Sequence, residues 1–263
     1  MKITVLVDNN TFIDKYLYGE PGFSVYIEDD NTNILFDTGF SDIFISNSKK
    51  INIDLTKLDY IVISHGHNDH TGGLKYLKDY DLSNTKLIAH EGIFKQRFDK
   101  GKEISCPIAL NDLNIKKYIN GKNAIKITDK LYFLGEIKRN IDFEERTIGT
   151  FIDGTNDKVI DDSALAYKTK DGIFIITGCS HSGICNICEQ AKEVLNDNRI
   201  IGIIGGFHLL ENNTQLDKTI NYFKENNIKD LYPCHCSSLE AKIKMANKLN
   251  VHEVGAGLKI EIK

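Results

Sequence analysis

The chain has no tryptophan, no excess of positive charge and no apolar run that approaches the length of a membrane span. The last absence excludes a transmembrane helix, which needs about 20 consecutive apolar residues. Thirty-three Lys and Arg against 37 Asp and Glu leave a formal charge of -4, so the basic footprint of a nucleic-acid binder is missing. The lack of Trp, with abundant Asn, Lys and Ile, suggests an AT-rich source genome and carries nothing about activity. No signal-peptide pattern precedes the first strand-like run, Lys2–Val7, so a cytoplasmic location is expected. There, six cysteines (Cys106, Cys179, Cys185, Cys188, Cys234 and Cys236) are expected to be reduced rather than paired. Neither a linker nor a repeat interrupts the 263 residues, which read as one domain large enough to bury a substantial core.

Short apolar runs predict strands at 2–7, 23–28, 33–37, 58–64 and 86–90. The second and third are joined by a polar hairpin signal, Asp29–Asn33. Helices are expected near 40–48 and from Thr71-Gly72-Gly73-Leu74 onward. Residues 92–150 are the least regular and read as an insertion with short strands near 124–128 and 131–134, placed either to cap a site or as a surface excursion. Periodicity then returns, with strands at 148–152, 163–168, 173–178, 199–205, 228–233 and 257–262 and helices at 183–196, 214–226 and 237–249. Strands precede helices in both halves, yet the hairpins are antiparallel. The pattern therefore predicts a mixed α/β protein with two sheets packed together and helices outside.

The densest chemical signal is His65-Gly66-His67-Asn68-Asp69-His70, directly after the apolar run Tyr60–Ser64. Four potential metal ligands fall within six residues. Imidazole nitrogens and a carboxylate oxygen suit zinc, and also iron or manganese. Side chains alternate along a strand, so His65 and His67 point to the same side, and the following turn can carry Asp69 and His70 round to a second ion. The alternative is a polar loop that happens to hold histidines. Three further histidines stand at strand ends: His181 after 173–177, His208 after 200–204 and His235 after Leu231–Cys234. Strand ends of α/β scaffolds are where sites are built. His181 and His235 read as ligands, and His208 reads as a ligand or a substrate or proton-transfer residue. His90 and His252 read as structural.

These motifs resemble the metallo-β-lactamase-fold superfamily. His65, His67, Asp69 and His70 match its H-x-H-x-D-H signature, Phe36-Asp37-Thr38-Gly39 looks like its Asp-x-Gly turn, and Tyr232-Pro233-Cys234-His235 resembles its late P-G-H element. Val7-Asp8-Asn9-Asn10, Gly178–Gly183, Gly205–Leu209 and Gly255–Leu258 are similar to one branch of it, labelled 7,8-dihydropterin-6-methyl-4-(β-D-ribofuranosyl)-aminobenzene 5′-phosphate synthase or metal-dependent hydrolase. The resemblance implies a four-layer αβ/βα sandwich with a dinuclear site on one edge. It implies His65, His67 and a third histidine on one ion, and Asp69, His70 and His235 on the other. No histidine precedes the 163–168 strand, where many relatives supply the third ligand, and His181 is the substitute. Cys179 stands where relatives place a bridging Asp. A bridging thiolate, an Asp161 or Asp162 that reaches in, and no protein bridge all remain open. Asp37 is expected to support the metal loop.

Two divalent cations about 3.5–4 Å apart share a water and lower its pKa towards neutrality. The expected activity is therefore metal-dependent hydrolysis of a small anionic ester or phosphate-bearing metabolite, with zinc as the first choice of metal. Asp69 and His208 are the catalytic candidates. Lys138, Arg139 and Arg146 are candidate phosphate contacts, against the alternative of a solvated basic patch. A transferase that condenses a pterin diphosphate with a ribofuranosyl-aminobenzene phosphate is the second reading. A non-catalytic metal-binding or redox-sensing module is the third. β-Lactam hydrolysis is disfavoured by the missing export signal and the branch motifs. Cys185-x-x-Cys188 lacks a second such pair, so small buried side chains are preferred to a separate metal site. Homo-oligomerisation stays open.

Overall fold

The computed structural model describes residues 1–144 and 146–263. The first half runs β1 (Lys2–Val7), β2 (Ser24–Asp29), β3 (Thr32–Phe36), α1 (Ile43–Lys50), β4 (Tyr60–Val62), α2 (Asn68–Thr71), β5 (Leu82–Ala89), β6 (Arg97–Asp99), β7 (Lys102–Glu103) and β8 (Ile115–Asn120). The second runs β9 (Ile125–Lys126), β10 (Leu131–Phe133), β11 (Thr150–Phe151), β12 (Ala164–Lys168), β13 (Ile173–Thr177), α3 (Ile184–Leu195), β14 (Ile200–Gly206), α4 (Thr214–Glu225), β15 (Asp230–Cys234), α5 (Leu239–Ala246), β16 (Asn250–Val251) and β17 (Lys259–Glu261).

Two seven-stranded sheets form, in the orders β17-β1-β2-β3-β4-β5-β8 and β16-β15-β14-β13-β12-β10-β9. Each is antiparallel at one end and parallel at the other: β3, β4, β5 and β8 run together in the first, and β13, β14, β15 and β16 in the second. Central strands such as β1 and β13 are continuous apolar runs rather than alternating ones, because both of their faces are covered. Between the sheets, Val25, Ile27, Phe36 and Val62 pack against Phe133, Leu165, Phe174 and Ile176. Outside the second sheet lie Ile187 and Ala191 of α3, Ile220 and Phe223 of α4 and Met245 of α5. Outside the first lie Phe44 and Ile45 of α1, against Leu35, Ile61 and Leu87. The layers are thus helix, sheet, sheet, helix, as expected. Each fully buried Leu, Ile or Phe contributes about 1.5–3 kcal/mol relative to exposure.

On α3, Ile184, Cys185, Ile187, Cys188, Ala191 and Leu195 are buried at helical spacing, so the Cys-x-x-Cys pair belongs to the core. The 29–33 hairpin closes through Asp30 and Asn31 alone, with Asp29 paired to Thr32 and Asp30 left-handed (φ 52°).

Two expectations are corrected. The helix expected from Thr71 is only the four-residue α2, followed by a 3-10 stretch, Gly72–Leu77. There the backbone is pressed against the 38–40 turn: a Cβ on Gly72 would come 2.3 Å from the Phe40 carbonyl oxygen. Within the segment 92–150, the expected short strands appear as β9 and β10 at the edge of the second sheet, while β8, which was not expected, joins the edge of the first. The segment also supplies β6 and β7, which join β11 in a small third sheet. Strand β8 escapes a periodicity search because Lys116 and Lys117 interrupt a half-exposed edge strand.

Candidate metal centre

Each functional side chain hangs at the C-terminal end of a strand of the parallel halves. Asp37 follows β3, His65 and His67 follow β4, Cys179 and His181 follow β13, His208 follows β14 and His235 follows β15, while Asp69 and His70 ride on α2. Four residues of these loops, Asp37, Ser180, His208 and His235, are non-glycine residues in the left-handed region (φ 48–56°). That conformation costs about 1 kcal/mol or more each and persists where surrounding structure imposes it, most often at sites.

Three imidazole nitrogens converge first. His67 Nδ1 lies 3.1 Å from His65 Nε2 and 3.1 Å from His181 Nε2. All three rings are buried. Nitrogens this close are held either by a shared proton or by a cation standing among them. Beside them lies a second set: His70 Nε2 is 3.2 Å from His235 Nε2 and 3.1 Å from Cys179 Sγ, and His235 Nε2 is 3.2 Å from Asp69 Oδ2. The donor atoms of Asp69, His70, Cys179 and His235 all lie within 4.8 Å of one another, as do those of His65, Cys179 and His181 and those of His65, His67 and Asp69. Cys179 and Asp69 therefore stand between the two sets. Nitrogen donors in one set and oxygen, nitrogen and sulfur in the other fit a borderline divalent ion.

Asp37 serves both sets. Its Oδ2 accepts from His70 Nδ1 at 2.6 Å and from Ser64 Oγ at 2.7 Å, and its Oδ1 accepts from Ser64 N at 2.7 Å. Ser64 Oγ in turn accepts from His65 Nδ1 at 2.9 Å. With both Nδ1 atoms carrying protons, the Nε2 lone pairs of His65 and His70 are left facing inward, which is the tautomer a ligand needs. His235 is fixed from the N-terminal turn: Asn9 Oδ1 accepts from its Nδ1 at 3.0 Å and Asp8 Oδ1 accepts from its backbone N at 2.8 Å.

Burial holds the His65 and His181 rings well below the usual imidazole range and brings His67 down to about 4, so all three are neutral. Burial, then the Arg146 guanidinium, brings His208 down to about 4. Burial opposes the charged form of His235, but its bond to Asp69 wins and raises it to about 9. Desolvation likewise opposes ionisation of Asp69, and the neighbouring His70 and His235 overcome it and push its carboxyl far below the usual range.

His67 and His181 of one set and Asp69, Cys179 and His235 of the other line a cavity of about 580 Å³, with Phe40, Ile104, Ile148 and Leu210 as apolar walls. His208 lines it beside His181, with ring centroids 4.7 Å apart. Of the residues singled out by sequence, His65, His67, Asp69, His70, Cys179, His181, His235 and Asp37 come together. Lys138, Arg139 and Arg146 do not line the cavity. Lys138 pairs with Glu193 on the surface, Arg139 donates to the Val159 carbonyl, and Arg146 lies behind His208, donating to its backbone oxygen at 3.0 Å. Asp161 and Asp162, considered as bridges, are turned away: Asp161 accepts from Gly66 N at 2.8 Å, and Asp162 accepts from Ser182 N at 2.8 Å. His90 and His252 lie elsewhere, on Glu136 and Asp230. Sequence reading missed Ser64 and Arg97. A serine closing the apolar run before the cluster is a weak signal, and Arg97 carries none.

The metallo-beta-lactamase superfamily model matches residues 17–195. The chain is 35% identical over 258 residues to the uncharacterized protein MJ0448 of Methanocaldococcus jannaschii, covering 94% of this chain and 95% of that one. It is 30% identical over 262 residues to the 7,8-dihydropterin-6-methyl-4-(beta-D-ribofuranosyl)-aminobenzene-5'-phosphate synthase of the same organism, covering 92% of this chain and 89% of that one. The structure matches that of Tm1679, a metal-dependent hydrolase of the beta-lactamase superfamily, with TM-score 0.84 and 30% identity over 100% of this chain and 99% of the other. The expected resemblance and layered fold are thereby borne out; the fold implies divalent metal binding, and the two donor sets are the candidate ligand groups. On its matched residues, its relatives and its architecture, this chain belongs to the metallo-beta-lactamase superfamily.

Proposed function

We propose that this protein is a metal-dependent hydrolase acting on a small anionic ester or phosphate-bearing metabolite, with two divalent ions, zinc first and iron or manganese next. The carrying observation is the pair of adjoining donor sets joined at Cys179 on the floor of one cavity. His65, His67 and His181 would hold one ion and Asp69, His70 and His235 the other, with Cys179 Sγ in reach of both. Two such ions, when bound, supply a water of lowered pKa and the positive charge that stabilises an oxyanion. Asp69, ionised and partly open to the cavity, would help hold its ion and accept a hydrogen bond from a water there. Neutral His208 donates its N–H to the leaving oxygen as charge develops there. The apolar walls hold the organic part of the substrate and exclude bulk water. Among the described residues no Lys or Arg lines the cavity, so the anionic end belongs at the donor sets.

A second reading is favoured by one observation, the 30% identity to a named synthase across 92% of this chain. In it, the same sets bind the diphosphate of a pterin substrate while a ribofuranosyl-aminobenzene phosphate displaces it. One experiment separates the two. The zinc-reconstituted protein is given bis(p-nitrophenyl) phosphate, and separately a pterin diphosphate with and without the aryl acceptor. Nitrophenol release that a chelator stops and zinc restores supports the hydrolase. Diphosphate release only with the acceptor supports the transferase. A protein that retains no transition metal and takes up none refutes both and leaves the redox-sensing alternative.

A further inference from the structure

The least expected buried side chain is Arg97, on β6, which is wholly inaccessible. Its guanidinium is enclosed by two buried carboxylates. Nη2 donates to Asp161 Oδ1 and Oδ2 at 3.2 Å each, Nη1 donates to Asp161 Oδ1 at 3.3 Å, and Nη1 lies 3.3 Å from Asp157 Oδ2. Nη2 also donates to the Gly92 carbonyl at 2.8 Å. Burying three charges costs several kcal/mol per ion unless geometry repays it, and such clusters are weak contributors to stability for their size. Their position explains them better. Asp161 Oδ2 accepts from the backbone N–H of Gly66, the residue between His65 and His67, at 2.8 Å. On its other side Gly66 lies against Ile93, where a Cβ would come 2.4 Å from the carbonyl oxygen. The Gly66 peptide is thus gripped between the 92–93 turn and Asp161, and Arg97 ties those two walls together.

We propose that Asp161, held by Arg97, is a positioning residue that fixes the Gly66 peptide and thereby sets the affinity of the His65, His67 and His181 set for its ion. The inference rests on the metal reading above. A ligand shell works only when held within about 0.5 Å of its productive geometry, and outer partners of ligands are worth 10–100-fold in affinity. The Asp69, His70 and His235 set is carried on α2 and on the loop after β15, and among the described residues Asp161 makes no bond to it, so the effect is confined to one set.

The test uses cobalt(II) titration of the full chain against a competing chelator, in two backgrounds that each leave one set intact. His235→Ala leaves the three-histidine set, and His67→Ala leaves the other. Adding Asp161→Ala should weaken cobalt binding 10–100-fold in the first background and by less than twofold in the second. Asp161→Asn, which keeps an oxygen for the Gly66 N–H, should recover most of the loss. Equal weakening in both backgrounds, or no weakening in the first, overturns the positioning role while the metal reading stands. A wild-type chain that binds no cobalt overturns the metal reading itself.

Discussion

Replacing Asp37 by Asn tests the link between the two donor sets with a change of one heavy atom. The carboxylate is fully buried and accepts three bonds, from Ser64 N, Ser64 Oγ and His70 Nδ1. An amide keeps the shape and supplies only one oxygen. If that oxygen stays on Ser64 N, the new NH2 faces His70 Nδ1. The ring then carries its proton on Nε2, the atom aimed at Cys179 and His235. If the amide is flipped, a donor faces the Ser64 N–H. Either way a buried bond to a charged group, worth about 1.5–3 kcal/mol, is lost and a donor is left opposed, so the folding cost is about 3 kcal/mol. For a chain of this size that lowers the melting temperature by about 6–12 °C. Zinc affinity should fall 10–100-fold at both sets, because the His65 Nδ1–Ser64 Oγ–Asp37 chain orients one and the His70 bond orients the other. Chelator competition on the zinc-loaded protein and a thermal melt of the metal-free protein read the two effects separately. A variant that binds both ions within twofold of wild type would refute the tautomer argument.

Three further outcomes follow from the geometry. His67→Ala removes the nitrogen shared by two of the short contacts and should abolish activity and empty the three-histidine set of its ion; unchanged metal by elemental analysis would contradict the ligand assignment. His208→Ala should leave metal content nearly intact and lower kcat about 10²–10⁴-fold, with loss of metal moving His208 among the ligands. The metal-free protein should lose stability between pH 7 and 5. The folded His67 titrates near 4 against 6.5 unfolded, so the unfolded chain takes up protons first and its share of the loss is about 2 kcal/mol. His65, His181 and His208 act in the same direction, and His235, raised to about 9, offsets less than one of them. Urea midpoints of chelator-treated protein at the two pH values measure it, and a higher midpoint at pH 5 would reverse the sign.

Much of the metal floor was legible because its signal is local. Residues 65–70 put four donors within six positions, so the loop after β4 and the short α2 deliver them to one place, although His65 and His67 lie beyond the strand whose alternation was expected to aim them. The strand-end histidines His181 and His235 could be grouped with them because parallel strands deliver their C-terminal ends to one edge. Sequence by itself also determined the layers, since continuous apolar runs demand cover on both faces. Tertiary structure alone decided which acid serves which loop. The resemblance already placed Asp37 under the metal loop, but by residue type Asp161 and Asp162 are equally plausible neighbours of a cation. Only packing shows Asp37 beneath both His65 and His70, Asp161 on the Gly66 peptide and Asp162 on Ser182. Arg97 was invisible for the same reason: its partner Asp161 is 64 positions away, and nothing local marks an arginine for burial. The fate of Lys138, Arg139 and Arg146 was likewise fixed by packing, because long flexible cations take whichever carboxylate or carbonyl the folded surface brings within reach.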